Sequence, residues 1–230
     1  MKGRLTAIIA LVGAFALALA TLSACTHDER GPGLRISCVG DSITYGYGLE
    51  GSPGNVWVAR LPEFLGNGCQ TTNYGVCGAC VLSGRNLTWA KSEVAGEFWQ
   101  ADEDVVVLML GTNDATALTW DAGRFEREYE ELVTRIQDKP CHPRVYVVIP
   151  PRVFIDHPLP TTPDDMILEG EVVPIILRVA ERTGVEVIDL RTPTADHPEW
   201  FDDGLHPNAT ANEIMAQVVA KAIADGEAQP

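Results

Sequence analysis

The chain has 230 residues, with 32 acidic against 17 basic side chains, a net charge of −15 at pH 7 and 46% hydrophobic residues. That length suits one domain able to bury a sizeable core. So acidic a chain argues against nucleic acid and against charge-driven adhesion to anionic membranes, and it fits neutral substrates better than polyanions.

Met1-Lys2-Gly3-Arg4 is a short basic start, followed by an apolar run from Leu5 to Leu22, the pattern of a secretory signal. The run ends in Leu22-Ser23-Ala24-Cys25, which resembles the bacterial lipoprotein signal. That resemblance implies removal of residues 1–24, lipidation of Cys25 and export to a lipid-anchored place at the cell envelope. An uncleaved transmembrane anchor is the alternative, since the run is just long enough to span a bilayer. The small residues before Cys25 favour the signal. Cleavage would remove Lys2 and Arg4 and no acidic residue, leaving 15 basic against 32 acidic side chains and a net charge of −17. Residues 25–33, polar with Gly and Pro, read as a tether, and a single domain follows over 34–230.

Leu34–Val39 is an apolar run of strand length that stops at Gly40-Asp41-Ser42-Ile43-Thr44. A turn there sets a serine hydroxyl at the carboxyl edge of a sheet, where open α/β sheets bind ligands. Gly40 permits the turn and Asp41 can cap a following helix. Ser42 is a nucleophile if a base reaches it, and otherwise part of a capping turn. The Gly-rich stretch 45–54 lacks the Lys-Ser/Thr of a phosphate loop and the Gly spacing of a dinucleotide fold. A short helix is expected over 56–65 despite Pro62, and a weak strand over Thr71–Tyr74.

Asp104–Leu110 is an unbroken apolar strand of the kind a parallel sheet buries on both faces, closed by Gly111-Thr112-Asn113-Asp114. Residues 124–138 carry Phe125, Tyr129, Leu132, Val133 and Ile136 on one helical stripe. Arg144–Ile149 is another buried strand, and a proline-rich loop covers 152–165. A helix is expected over 169–182, with Pro174 tolerable only near its first turn or at a kink, then a last strand over 185–190. A final helix opens at Pro207, with Ile214, Met215, Val218, Val219 and Ile223 facing the core. Alternating strands and helices imply a parallel five-stranded sheet between helical layers.

Cys38, Cys69, Cys77, Cys80 and Cys141 remain once Cys25 is set aside, an odd number that leaves at least one thiol unpaired. Cys38, inside a strand, reads as a small buried hydrophobe. Cys77-Gly-Ala-Cys80 has CxxC spacing, but no second CxxC or spaced His pair accompanies it, so neither a metal nor a cofactor is expected.

Asp203-Gly204-Leu205-His206-Pro207 sets a carboxylate and an imidazole three residues apart just ahead of a helix. One turn can present both groups, with the carboxylate fixing the tautomer and the other ring nitrogen facing a serine. By itself this spacing also fits a surface turn. Taken in order, Gly40-Asp41-Ser42, Asn73-Tyr74-Gly75-Val76-Cys77-Gly78, Gly111-Thr112-Asn113-Asp114 and Asp203-Gly204-Leu205-His206-Pro207 resemble the SGNH (GDSL-type) hydrolase family. The resemblance implies a flavodoxin-like three-layer α/β/α sandwich and ester hydrolysis. Ser42 would be the nucleophile, His206 the base and Asp203 its orienter. The backbone N–H groups of Ser42 and Gly78 and the side-chain amide of Asn113 would form the oxyanion hole. The chemistry agrees: an attacked carbonyl needs preset donors, and a histidine at its ordinary pKa of about 6.5 is largely neutral at pH 7–8.

Two departures from the family pattern concern Cys77 and Cys80, which stand where Ser and Thr are common, and Asp202, an alternative orienter beside Asp203. Cys77 has no second His-Asp pair to serve it as a nucleophile. Asp114 is expected to order its own loop, and His142, His157 and His197 to be solvated loop residues, with His197 able to line the cleft through Trp200. Trp57, Trp89 and Trp99 read as core. The segment His197–Asn208 looks like the carbohydrate O-acetylesterase branch, making a small acyl ester or an acetylated glycan the expected substrate. The alternatives are a lipase, lysophospholipase or thioesterase of the same fold, or a glycan-binding lipoprotein without catalysis.

Overall fold

The computed structural model describes residues 33–66, 68–85 and 87–228. The signal over 1–24, Cys25 and nearly all of the tether lie outside the described residues. Among the described residues, no helix is long and apolar enough to cross a membrane.

Five parallel strands form one sheet in the order β2-β1-β3-β4-β5: β1 (Arg35–Gly40), β2 (Gln70–Gly75), β3 (Val105–Met109), β4 (Arg144–Ile149) and β5 (Glu186–Asp189). The inner strands bury both faces, which is why their sequences run apolar without alternation. Within β3 the pleat still sorts the side chains. Val105, Val107 and Met109 join one core with Trp57, Leu61, Met215 and Val219, while Val106 and Leu108 join the other with Phe125, Tyr129, Val133 and Val179. Helix α2 (Trp57–Leu65) packs against α7 (Ala209–Glu227) over the first face, and α4 (Ala122–Gln137) against α6 (Val173–Thr183) over the second. The result is the expected three-layer α/β/α sandwich.

Several elements differ from expectation. The helix expected over 169–182 starts earlier, as α5 (Asp165–Ile167) capped by Asp164, and reaches α6 through a π turn at Leu168–Val172. The π turn delivers Pro174 to the second position of α6, where its missing N–H breaks no regular i→i−4 bond. Helix α3 (Glu93–Phe98), capped by Ser92, has no strong sequence signal because it is six residues long and contains Gly96. In α7, Met215, Val219 and Ile223 are buried as expected, but Ile214 and Val218 are only half-buried. The core there is completed instead by Ala211, Ala216 and Ala220.

Strand order places the site. β1 pairs with β2 on one side and β3 on the other, so the chain reverses its direction of travel across the sheet between β1 and β3. A crevice opens at the carboxyl ends of the strands at such a reversal. The register sets Gly40 level with Gly75 and Met109, so the turns leaving all three strands emerge together.

Candidate active site

The turn after β1 is built by close approach. A Cβ on Gly40 would overlap the Thr44 hydroxyl and the Met109 carbonyl, and one on Gly75 would overlap the backbone of Tyr45. Only glycines let these strand ends meet a helix start. Asp41 caps the one-turn helix α1 (Ser42–Tyr45), its Oδ1 accepting from the Ile43 amide at 2.9 Å, as expected. Asn73 braces the same turn from β2: its Nδ2 donates to the Thr44 carbonyl at 2.7 Å, while its Oδ1 accepts from the Gly75 amide at 2.9 Å. Ser42 is thereby held, almost buried, at the crevice.

The last block arrives from the far end of the chain. Asp203 Oδ1 accepts from the amides of Leu205 and His206 at 2.9 and 2.8 Å, and its Oδ2 lies 2.6 Å from His206 Nδ1. An ionised carboxylate only accepts, so Nδ1 carries the proton and Nε2 presents its lone pair. That lone pair faces Ser42 Oγ at 2.9 Å. Burial pushes the Asp203 carboxyl up, but the His206 ring and the two amides outweigh it and hold the carboxyl below its ordinary range. Behind His206, Asn208 caps α7, and the buried Asn212 donates to the Pro207 carbonyl at 2.8 Å while accepting from the Trp57 amide at 2.9 Å. Tyr47 covers the imidazole on the solvent side, with ring centroids 4.4 Å apart.

Gly78 and Asn113 line one cleft of about 330 Å³, together with Arg85, Leu87, Thr161 and Pro163. The turn bearing Gly78 is tied to the serine turn by a bond from the Val76 amide to the Gly40 carbonyl at 3.0 Å. Gly78 has φ +75°, a left-handed conformation that orients its amide. Neither the Ser42 nor the Gly78 amide donates to an acceptor among the described residues. Asn113 gives one amide hydrogen to the Ala79 carbonyl at 3.2 Å, leaving the second available.

The remaining expectations sort themselves. Asp203, not Asp202, contacts the imidazole. Asp114 does not order its own loop: its two oxygens accept from the Val81 and Leu82 amides at 2.9 Å each, holding the loop beyond Gly78. Its burial lifts its carboxyl to about 6, and burial, with Asp114's charge adding, lifts Asp41 to about 7. Cys38, Cys69, Cys77, Cys80 and Cys141 are all free thiols, with Cys38 fully buried. Burial raises the thiols of both Cys77 and Cys80, the latter to about 12, which disfavours the thiolate a nucleophile needs. His197 lies flat on Trp200 at 3.7 Å and pairs with Glu199. Trp57 and Trp89 are fully buried, and Trp99 packs half-buried against the core. Among the described residues no group of three or more His, Cys, Asp or Glu side chains could hold a metal ion.

Residues 38–214 match the model of the GDSL-like lipase/acylhydrolase family. The chain belongs to that family. An acetylxylan esterase of Xylanibacter ruminicola is 27% identical over 206 residues, covering 83% of this chain and 43% of that protein. The chain therefore spans less than half the length of this relative. Among solved structures of the fold, Est24, a carbohydrate acetylesterase from Sinorhizobium meliloti, superposes with a TM-score of 0.68 at 20% identity, over 84% of this chain and 99% of the other. The acetyl xylan esterase AlAXEase does so with a TM-score of 0.65 at 21% identity, over 83% and 100%. These two likenesses establish the α/β sandwich of this family member. Asn73, Asn212 and Arg85 are the site residues that sequence reasoning left without a role.

Proposed function

We propose that this GDSL-family protein is a serine esterase that removes small acyl groups, acetyl foremost, from carbohydrates. Ser42 Oγ attacks the ester carbonyl while His206 Nε2 takes its proton, and Asp203 stabilises the imidazolium that forms. The amides of Ser42 and Gly78 and the free hydrogen of Asn113 Nδ2 receive the oxyanion. His206 then returns the proton to the leaving alcohol, and water repeats the sequence on the acyl-serine. The observation that carries this reading is the continuous chain from Ser42 Oγ through His206 to Asp203, at 2.9 and 2.6 Å. The acetyl and carbohydrate assignment rests on the likeness to the acetylxylan esterase and the carbohydrate acetylesterases described above.

The test is hydrolysis of p-nitrophenyl acetate by the purified domain and release of acetate from acetylated xylan. Turnover that vanishes in Ser42→Ala supports the reading, and unchanged turnover defeats it. A preference that climbs with acyl length through octanoyl and beyond would transfer the protein to the lipase and thioesterase reading. For localisation we propose export and lipid anchoring at Cys25. Cys25→Ala should release the protein from the membrane fraction, and retention there would count against it.

A further inference from the structure

Gly78 and Asn113 sit on separate loops, and something must fix the distance between them. Beyond Gly78 the chain folds back on itself, with the Cys80 amide donating to the Leu87 carbonyl and the Trp89 amide to the Cys80 carbonyl, both at 2.9 Å. Besides Asn113 itself, which reaches the Ala79 carbonyl, two side chains cross from one loop to the other, in opposite directions. Asp114 reaches back to the Val81 and Leu82 amides. Arg85 reaches forward, its Nη2 donating to the Asn113 carbonyl at 2.9 Å and to Thr116 Oγ1 at 3.0 Å. Thr116 Oγ1 in turn lies 2.9 Å from Thr119 Oγ1.

Among the described residues only Arg85 bonds to the Asn113 carbonyl, while the N–H of the same peptide, that of Asp114, donates to the Gly111 carbonyl at 3.1 Å. The two bonds together fix the plane of the peptide that follows Asn113, and with it the direction in which the Asn113 side chain leaves the backbone; Arg85 supplies the one that comes from the Gly78 side. The Ala79 carbonyl fixes the far end of the same side chain. With both ends held, the second amide hydrogen has one direction left. Arg85 Nη1 is also buried and finds no partner among the described residues.

We propose that Arg85 is a positioning residue for the oxyanion site, acting through Asn113. The inference rests on the esterase reading and goes beyond it. A donor must lie about 2.7–3.1 Å from the oxyanion, and a misplacement of about 1 Å can cost 100-fold. Loss of Arg85 therefore lowers the rate of the chemical step and leaves ground-state binding nearly alone.

A double-mutant cycle on p-nitrophenyl acetate separates this from a general structural role or a substrate contact. Arg85→Met should lower kcat about 10- to 100-fold with KM within about threefold, and Arg85→Lys should fall between it and the parent. Asn113→Ala alone should cost about 100- to 1,000-fold, and adding Arg85→Met to it should cost no more than about threefold further. Losses that multiply, a change confined to KM, or an Arg85→Met variant at the parental rate would overturn the proposal while leaving the esterase reading intact. If Arg85→Met does not fold, the same cycle is run with Arg85→Lys. A parent protein without turnover sinks the esterase reading, and this inference with it.

Discussion

Replacing Asp203 by Asn is the sharpest single test of the proposed role of His206 as the base. Asp203 uses both oxygens: Oδ1 holds the Leu205 and His206 amides, and Oδ2 holds Nδ1. An asparagine has one acceptor oxygen for these two tasks. If the oxygen stays with the backbone amides, the NH2 faces Nδ1 and drives the proton to Nε2, which then cannot accept from Ser42. The lost charge adds to this. Two unit charges about 4 Å apart interact by about 1 kcal/mol in water and about 4 kcal/mol at a protein-surface dielectric. The Asp203 side chain is 51% exposed, so about 2–3 kcal/mol is the fitting range, or roughly 30- to 150-fold in rate. The tautomer error acts on top, and in a fully buried triad the same exchange costs about 10⁴-fold. We expect kcat for p-nitrophenyl acetate at pH 8 to fall about 100- to 10,000-fold, with KM within about threefold. Asp202→Asn should cost far less. A loss under tenfold in Asp203→Asn, or a larger loss in Asp202→Asn, would refute the assignment.

Two further substitutions probe the turn that carries Ser42. Asp41 holds its proton up to about pH 7 in the fold but only to about 3.8 when unfolded. Over that window the native state binds more protons than the unfolded one, so stability falls as pH rises from about 4 to 7 and is level above. Asp41→Asn keeps an acceptor for Ile43 and never ionises, so it should match the parent at pH 4 and exceed it at pH 8, by about 4 kcal/mol at most. Thermal melts at both pH values check this, and a gap that does not change with pH would contradict it. Asn73→Ala removes the brace to Thr44 and Gly75 and should cost about 1–3 kcal/mol in urea unfolding, with a lower kcat. A loss below about 0.5 kcal/mol would show that the brace carries no weight.

The sheet was legible because three of its strands are buried on both faces, and a run such as Val105–Met109 has no competing explanation at that length. The edges were harder. β2 exposes most of its first four residues and β5 is half-exposed, so neither needs an apolar sequence, and pairing with β1 and β4 fixes them instead. Packing also decided α7, where small alanines lie against the sheet and allow close approach while Ile214 and Val218 stay at the margin. The π turn before α6 had no local signature beyond an awkward Pro174.

At the site, legibility followed the distance over which each contact acts. Asp203 and His206 are three residues apart, and Asp41 caps its own helix, so spacing alone suggested both. Ser42 and His206 are 164 residues apart, and only the order of the four blocks tied them together. Asn73, Arg85 and Asp114 act over 28 to 33 residues through single side chains in polar stretches, where nothing in the local sequence separates a structural residue from a solvated one. These same residues set the precision of the site. The site also carries an electrostatic cost: Asp41 and Asp114 are buried carboxyls with no cation bonded to them among the described residues, close enough for the charge of Asp114 to raise Asp41, and the nearby Arg85 charge offsets burial only in part at Asp114. Burying such groups opposes folding. In exchange, one fixes the helix start that presents Ser42 and the other fixes the loop beyond Gly78. A neutral Asn could keep the single amide that Asp41 accepts from, whereas Asp114 spends both oxygens on backbone amides, so Asp41 is the position where the turn carries a carboxyl that stability alone does not require.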